Sequence, residues 1–243
     1  MHILLKITKT IRRSQARKGV LEHHSGKMAN FVIMIEAEEL YSILQRCMGN
    51  PLPGKQAQMS MLPEGRSLEP STGSPRLAAV LLLLYPKNNQ WHTVFIKRNE
   101  YPGHHSGQVS FPGGKRDGND KDMAGTALRE AKEETGIDES EIRLAGPLSP
   151  LHIPVSGFHV HPFVGMLFNT PCFSPDSTEV QYLIETPVRN LLNPATRRVT
   201  TMVIRGNEVR VPFYQVKGET VWGATAMILA EFLSLCSQIT SVL

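Results

Sequence analysis

A helix that carries three glutamates between two glycine turns restricts the folds open to this chain more than any other stretch. The stretch begins at the glycine pair 113–114 and closes at Gly136, and its spacing predicts a helix over residues 122–135. At about 100° per residue, an arc of roughly 100° holds the three carboxylates, and a different arc holds Ala124, Ala127, Leu128 and Ala131. We therefore expect the helix to pack on a sheet and to present Glu130, Glu133 and Glu134 together.

Three like charges within one turn repel one another, which lowers the stability of the helix. A divalent cation removes this repulsion, and carboxylate oxygens are the donors that Mg²⁺ and Mn²⁺ prefer. Arg129 precedes Glu133 by four residues, so we expect the two side chains to pair. A solvated acidic surface with ordinary ion pairs is the alternative interpretation of the same pattern.

The glutamates lie in a run that resembles the second half of the Nudix box, G-x5-E-x7-R-E-U-x-E-E-x-G-U. Residues 129–137 agree with this motif at every specified position. The first half differs, because Gly114 and Arg129 are 15 residues apart, one more than the motif has. The upstream glutamate of the motif has no direct equivalent, and the residues near its place are Asp117, Asp120 and Lys121.

A neighbouring run resembles the signature of the coenzyme A diphosphatases within the Nudix superfamily, approximately L-L-T-x-R-[SA]-x3-R-x3-G-x3-F-P-G-G. Arg98, Gly107 and the turn Phe111-Pro112-Gly113-Gly114 match this signature at the same spacing. Gly103 stands where the signature has a second arginine, and Asn99 stands where a small residue is usual.

The resemblance implies a metal-dependent hydrolase with Mg²⁺ or Mn²⁺ as cofactor. Its implied reaction cleaves the diphosphate bond of CoA or acyl-CoA to 3′,5′-ADP and (acyl-)4′-phosphopantetheine, and the cation neutralises the anionic diphosphate. One alternative is a Nudix hydrolase of another nucleoside diphosphate derivative, such as ADP-ribose, NADH or an oxidised nucleotide. Another is a non-catalytic Nudix-fold ligand-binding module, against which the presence of all three glutamates argues.

The resemblance also implies roles for individual residues of the glutamate helix. Glu130 and Glu134 are expected to be metal ligands, and Glu133 is expected to be a third ligand or the base that contacts water. Arg129 is expected to orient Glu133. The carbonyl group of Gly114 is expected to be a further metal ligand.

Residues beside the glycine turn extend the candidate site. The groups expected to contact phosphate oxygens are Arg98, Lys115 and Gly113, with Lys97 and Arg116 as further candidates. Two histidines of the preceding loop, His104 and His105, are weaker candidates for substrate contact. A distant loop contributes Glu179 as a candidate base.

The remaining pattern predicts one α/β domain over residues 34–243, a Nudix-type α/β/α sandwich with a mixed β-sheet flanked by helices. The apolar run Leu77–Tyr85 predicts a strand buried on both faces, and Pro86–Gln90 predicts a hairpin to the next strand. Apolar residues at helical spacing between positions 40 and 47 predict an N-terminal helical segment. Gly206-Asn207 predicts a second hairpin.

The net charge of +4 belongs to the beginning of the chain. Residues 1–30 contain seven of the 26 basic side chains and one of the 22 acidic ones, so this segment carries +6 and the rest carries −2. We expect residues 1–33 to form a basic extension that is disordered or lies upstream of the true start. The alternatives are a nucleic-acid or membrane-surface arm and a targeting segment.

The longest apolar run has nine residues, half of the roughly 18 needed to cross a bilayer, so no membrane-spanning segment is expected. The three cysteines, Cys47, Cys172 and Cys236, lie far apart and lack metal-binding spacing, which favours a reducing compartment. From the cysteines we expect a cytoplasmic protein. The resemblance implies a small-molecule substrate, and the slightly acidic charge after residue 30 makes a nucleic-acid partner unexpected. Whether it is a homodimer stays open.

Overall fold

The computed structural model describes residues 25–68, 74–100, 107–204, 206–237 and 239, and its centre is a mixed β-sheet. The strands of this sheet are β1 (Arg76–Lys87), β2 (Gln90–Arg98), β3 (Val109–Ser110), β4 (Gly113–Lys115), β5 (Arg143–Pro147), β6 (Leu151–Ile153), β7 (Phe158–Met166) and β8 (Val180–Pro187). Their order is β3-β2-β1-β7-β5, with β4 paired to β1, β6 to β7 and β8 to β2. Strand β7 runs parallel to β1, whereas β2 and β4 run antiparallel to it. The predicted mixed sheet is confirmed.

A smaller sheet and the helices complete the described fold. The smaller sheet has the order β11-β10-β9, with strands β9 (Arg197–Ile204), β10 (Asn207–Val216) and β11 (Glu219–Trp222). The helices are α1 (Ser25–Met48), α2 (Gly54–Met59), α3 (Met123–Thr135), α4 (Val188–Leu191) and α5 (Gly223–Cys236). Single turns of 3-10 helix cover Glu139–Glu141 and Pro194–Thr196.

Strand β1 lies at the centre because its side chains are apolar on both faces. Its odd-numbered residues from 79 to 85 pack with Ala127 and Ala131 of α3. Its even-numbered Leu82 and Leu84 belong to the other core, which includes residues of α1 and α5. The predicted strand buried on both faces is confirmed, and it separates two layers of helices.

Helix α3 begins and ends as the sequence predicts. The Asp122 carboxylate caps its start by accepting a hydrogen bond from the backbone N–H of Gly125 at 2.8 Å. Gly136 ends it with a φ of +76°, and a Cβ at this position would lie 2.5 Å from the carbonyl oxygen of Ser174. Glycine is therefore required here both by the backbone conformation and by the close approach of the neighbouring loop.

Two hairpins form where turn residues predict them. Between β1 and β2, Asn88 and Asn89 have φ values of +52° and +57°, in the left-handed region that asparagine tolerates better than most residues. Strands β9 and β10 pair antiparallel, with Ile204 opposite Asn207. The short strands β6 and β11 were not predicted, since three or four residues are too few to establish a period of two.

Helix α1 starts before the predicted domain boundary. It begins at Ser25, nine residues before the predicted domain start at residue 34, and the domain boundary itself stays a prediction. No glycine or proline interrupts residues 27–48, which allows the helix to extend past the apolar positions that predict it. Residues 1–24 lie outside the described residues, so the character of that basic segment stays a prediction. None of the described helices is long and apolar enough to span a bilayer.

A buried carboxylate joins three segments on the α5 side of the sheet. Glu231 of α5 has no exposed surface. Its Oε1 accepts hydrogen bonds from the backbone N–H groups of Gly54 at 3.2 Å and Ser149 at 3.1 Å. Its Oε2 accepts from Nε2 of Gln58 at 2.9 Å. This side chain therefore holds α2 and the segment after β5 against α5.

Replacing this carboxylate should destabilise the fold. We expect Glu231→Ala to lower the free energy of unfolding by about 3 kcal/mol or more, because three donors lose their acceptor. The matched control Glu208→Ala removes an exposed carboxylate of β10 and should change it by less than about 0.5 kcal/mol. Urea unfolding measures both. A loss for Glu231→Ala below about 1 kcal/mol, the net value of one hydrogen bond, would contradict the role assigned to Glu231.

Candidate active site

The two glycines of the turn between β3 and α3 lie where no side chain fits. Gly113 has a φ of +151°, and a Cβ there would lie 2.3 Å from the carbonyl oxygen of Ala79 on β1. A Cβ on Gly114 would lie 2.2 Å from Oε2 of Glu130. The backbone of β4 thus packs directly against β1 on one side and against a carboxylate of α3 on the other.

Glu134 is held inside the protein by this turn. Its side chain is 1% exposed, and Oε2 accepts a hydrogen bond from the backbone N–H of Gly113 at 2.7 Å. Its Oε1 lies 3.0 Å from Nη2 of Arg98 as an ion pair but has no partner in hydrogen-bonding geometry. Burial raises the pKa of Glu134 to about 7, against the lowering effects of Arg98 and of the Gly113 N–H.

Arg129 connects the other two glutamates of the helix. Its Nη2 lies 2.9 Å from Oε1 of Glu130, and its Nη1 lies 2.9 Å from Oε2 of Glu133. Its Nη2 also donates to the carbonyl oxygen of Lys115 at 3.2 Å. The predicted pairing of Arg129 with Glu133 is confirmed, although the Glu133 side chain is 56% exposed. Burial raises the pKa of Glu130, against the lowering effect of Arg129.

Of the three residues near the place of the motif's upstream acid, Asp120 is the one that contacts the arginine. Arg129 donates to Asp120 from Nε at 2.8 Å and from Nη2 at 3.1 Å. The Asp120 side chain is 5% exposed and also accepts hydrogen bonds from the N–H of Asp117 and the hydroxyl of Thr126, each at 2.8 Å. The hydrogen bond from Arg129 is the main reason that the pKa of Asp120 is lowered well below its usual range.

The chemistry of these donors fits a divalent cation, although no three of them converge as a finished ligand set within the described residues. Glu130 and Glu133 turn towards Arg129, and Glu134 turns towards Arg98. Two observations support the fit. Oε1 of Glu134 is buried without a hydrogen bond, and the Glu130 carboxylate fills the space that the missing side chain of Gly114 leaves. Both are hard oxygen donors on one helix face.

The predicted phosphate-contacting residues have different surroundings. Nη2 of Arg98 donates to the carbonyl oxygen of Gly113 at 2.7 Å, and 21% of the arginine side chain is exposed. Gly113 thus uses its N–H for Glu134 and its carbonyl for Arg98. Lys115 is exposed. Nζ of Lys97 instead forms an ion pair with Oε2 of Glu219, a residue of β11, at 2.8 Å. His104 and His105 lie outside the described residues.

Glu179 lies on an exposed loop immediately before β8, at the side of the site where Arg98 ends β2. After burial and the charge of Glu130, the negative charge of Glu179 also contributes to the raised pKa of Glu134. The structure therefore brings this sequence-distant carboxylate into electrostatic range of the glutamate helix.

Comparison with known proteins identifies the family of this chain and several relatives. The family model of the NUDIX domain matches residues 75–201. An uncharacterized Nudix hydrolase, NudL of Photorhabdus laumondii, is 35% identical over 156 residues, which are 64% of this chain and 82% of that protein. Nudix hydrolase 22, chloroplastic, of Arabidopsis thaliana is 34% identical over 179 residues, and the match covers 71% of this chain and 59% of that protein.

Solved structures with some likeness to this chain include a Nudix hydrolase and an Ap4A hydrolase. RenU, a Nudix hydrolase from M. smegmatis, has a TM-score of 0.47 and 13% identity over 74% of this chain and 96% of that one. A binary complex of the C. elegans Ap4A hydrolase has a TM-score of 0.41 and 18% identity over 49% of this chain and 85% of that one.

A methyl group at Gly114 should displace the Glu130 carboxylate without unfolding the domain, because the end of a glutamate side chain can move. We expect Gly114→Ala to weaken Mn²⁺ binding about tenfold or more. The matched control is Gly118→Ala, since a Cβ at Gly118 meets no atom within 4 Å. Calorimetric titration with Mn²⁺ measures both affinities. Equal affinities in the two variants would contradict the assignment of Glu130 as a ligand.

Proposed function

The chain belongs to the Nudix hydrolases, which hydrolyse phosphoric anhydrides of nucleoside diphosphate derivatives, and on this premise we propose that its substrate is coenzyme A or acyl-CoA. The products are 3′,5′-ADP and (acyl-)4′-phosphopantetheine. Divalent cations are general cofactors of this family, and Mg²⁺ or Mn²⁺ is the cofactor that we propose here.

The position of Arg98 carries the substrate proposal. Arg98, Gly107 and the turn over residues 111–114 are the parts of the chain that match the coenzyme A diphosphatase signature. In the fold, Arg98 contacts both the carbonyl group of Gly113 and the carboxylate of Glu134. Two separate parts of the signature, the arginine and the glycine turn, are therefore in contact. They lie next to the glutamates of the Nudix motif.

The glutamates of α3 form the cation site in this proposal. Glu130 and Glu134 would hold Mg²⁺ or Mn²⁺, with Glu133 and the carbonyl group of Gly114 as the further ligands predicted from the sequence. When bound, the cation supplies positive charge that neutralises the diphosphate and promotes loss of a proton from water. Arg129 contacts both Glu130 and Glu133, so it limits the directions in which these two carboxylates can point.

The proposed phosphate contacts lie on the exposed side of the same turn. About a fifth of the Arg98 side chain is exposed, and we propose that its guanidinium contacts a phosphate oxygen as well as Glu134. Lys115 is exposed and follows the turn directly. Gly113 is buried against β1, with its N–H on Glu134 and its carbonyl on Arg98, so we propose that it acts on the phosphate by positioning Arg98.

Two carboxylates are candidates for the base that removes a proton from the attacking water. Glu133 is more than half exposed, and Glu179 is exposed on its loop. Both are therefore accessible to water, unlike Glu134. We propose Glu179, because it makes no ion pair among the described residues, whereas Glu133 is paired with Arg129.

We propose the cytoplasm as the location of the protein. Cys47, Cys172 and Cys236 are free thiols, which agrees with a reducing compartment. The Arabidopsis relative is described as chloroplastic, so cell fractionation should compare the cytoplasm with the organelles, where the source organism has them.

The substrate proposal is tested by incubating the protein with CoA and Mn²⁺ or Mg²⁺ and separating the products by chromatography. We expect 3′,5′-ADP and 4′-phosphopantetheine in equal amounts, and no products when the cation is chelated. ADP-ribose, NADH and oxidised nucleotides serve as competing substrates. Turnover of one of these without cleavage of CoA would contradict the substrate proposal while leaving the hydrolase class intact.

Replacing the buried carboxylate of Glu134 should abolish activity without unfolding the protein. We expect Glu134→Gln to lower kcat at least about 10²-fold, because an electrostatic contribution to the transition state is lost. The variant should be as stable as the parent, since a buried neutral amide avoids the desolvation cost of a carboxylate. Glu141→Gln, at an exposed position, is the matched control. Full activity of Glu134→Gln would contradict the ligand assignment.

A further inference from the structure

We propose that Asn99 is a positioning residue that holds the loop carrying Glu179 against the active site. This inference rests on the proposed role of Glu179 as the base. It concerns a residue that differs from the coenzyme A diphosphatase signature, where a small side chain is usual, so the arrangement is a property of this chain.

Asn99 makes hydrogen bonds to three consecutive residues of the loop. Its side-chain Nδ2 donates to the carbonyl oxygens of Ser177 and Thr178, each at 2.9 Å. Its backbone N–H donates to the carbonyl oxygen of Glu179 at 3.1 Å. A serine or alanine at position 99 would keep the backbone bond, but neither side chain has the amide group that provides the two N–H donors.

The loop over residues 174–179 is also held by hydrogen bonds among its own residues and by one bond at its start. The carboxylate of Asp176 accepts hydrogen bonds from the N–H and the hydroxyl of Thr178, each at 2.8 Å. Its carbonyl oxygen accepts from the N–H of Val180 at 2.8 Å. At the start of the loop, the N–H of Ser174 donates to the carbonyl oxygen of Thr135, the last residue of α3. Asn99 thus supplies the second external attachment of this loop.

The attachment lies beside the candidate active site. Asn99 directly follows Arg98, which pairs with Glu134 and lies opposite Val180 in the sheet. The register between β2 and β8 shifts between Lys97 and Arg98, so the sheet is irregular at the point where the loop ends and β8 begins. Beyond the pair Arg98–Val180, the regular pairing of β2 with β8 ends, and the side-chain hydrogen bonds of Asn99 connect the two segments instead. They fix the backbone of Glu179, whose charge acts on Glu134.

The experiment combines kinetics with backbone exchange in three variants: Asn99→Ala, Glu179→Gln and the double variant. With the substrate that the parent protein turns over, we expect Asn99→Ala to lower kcat about tenfold and to change KM less than about twofold. In the Glu179→Gln background, the same change at Asn99 should have little further effect, because both substitutions act through one group. Losses that multiply in the double variant would overturn the proposal.

Hydrogen–deuterium exchange over residues 174–180 gives a readout that does not need activity. We expect Asn99→Ala to accelerate exchange in this segment about tenfold. Asn99→Asp keeps the size of the side chain and removes both amide donors, so it should behave in the same way. Asn193→Ala is the matched control, because Asn193 caps a distant 3-10 turn by accepting from the N–H of Ala195. Unchanged exchange in both Asn99 variants would overturn the proposal even if CoA proves to be the substrate.

Discussion

The candidate site depends on the absence of side chains at Gly113 and Gly114. Because neither residue has a Cβ, β4 can lie directly on β1 while the carboxylates of α3 reach its backbone. The site is therefore built from a backbone turn and a helix face that are both fixed to the same central strand. Rigid elements of this kind hold functional groups more accurately than two flexible loops would.

Two arginines offset part of the charge of the four carboxylates at the site. Arg129 lies among Asp120, Glu130 and Glu133, and Arg98 pairs with Glu134. The repulsion expected between glutamates on one helix turn is thus reduced by two arginines, one on the same helix and one on β2. In the proposed function, a cation at this cluster would compete with the guanidinium groups for carboxylate oxygens, and Arg98 would then be available to a phosphate.

Features that depend on local periodicity could be predicted from the sequence. The glutamate helix, its capping residues and the pairing of Arg129 with Glu133 follow from spacing along one helix, and the doubly buried β1 follows from an unbroken apolar run. Contacts between distant segments could not be predicted in this way. The bonds from Asn99 to Ser177 and Thr178 depend on the pairing of β2 with β8. The start of α1 at Ser25 was missed because the apolar spacing that signals the helix begins later than the helix itself.

Asp120 shows how a motif can keep its contacts while changing its length. Five residues separate Gly114 from Asp120, as in the family pattern, but eight rather than seven separate Asp120 from Arg129. The long arginine side chain still reaches the aspartate across this longer interval. A search that fixes every interval of the motif would overlook chains of this kind. A search that asks for an acid within reach of the arginine, and leaves the interval between them variable, would retrieve them.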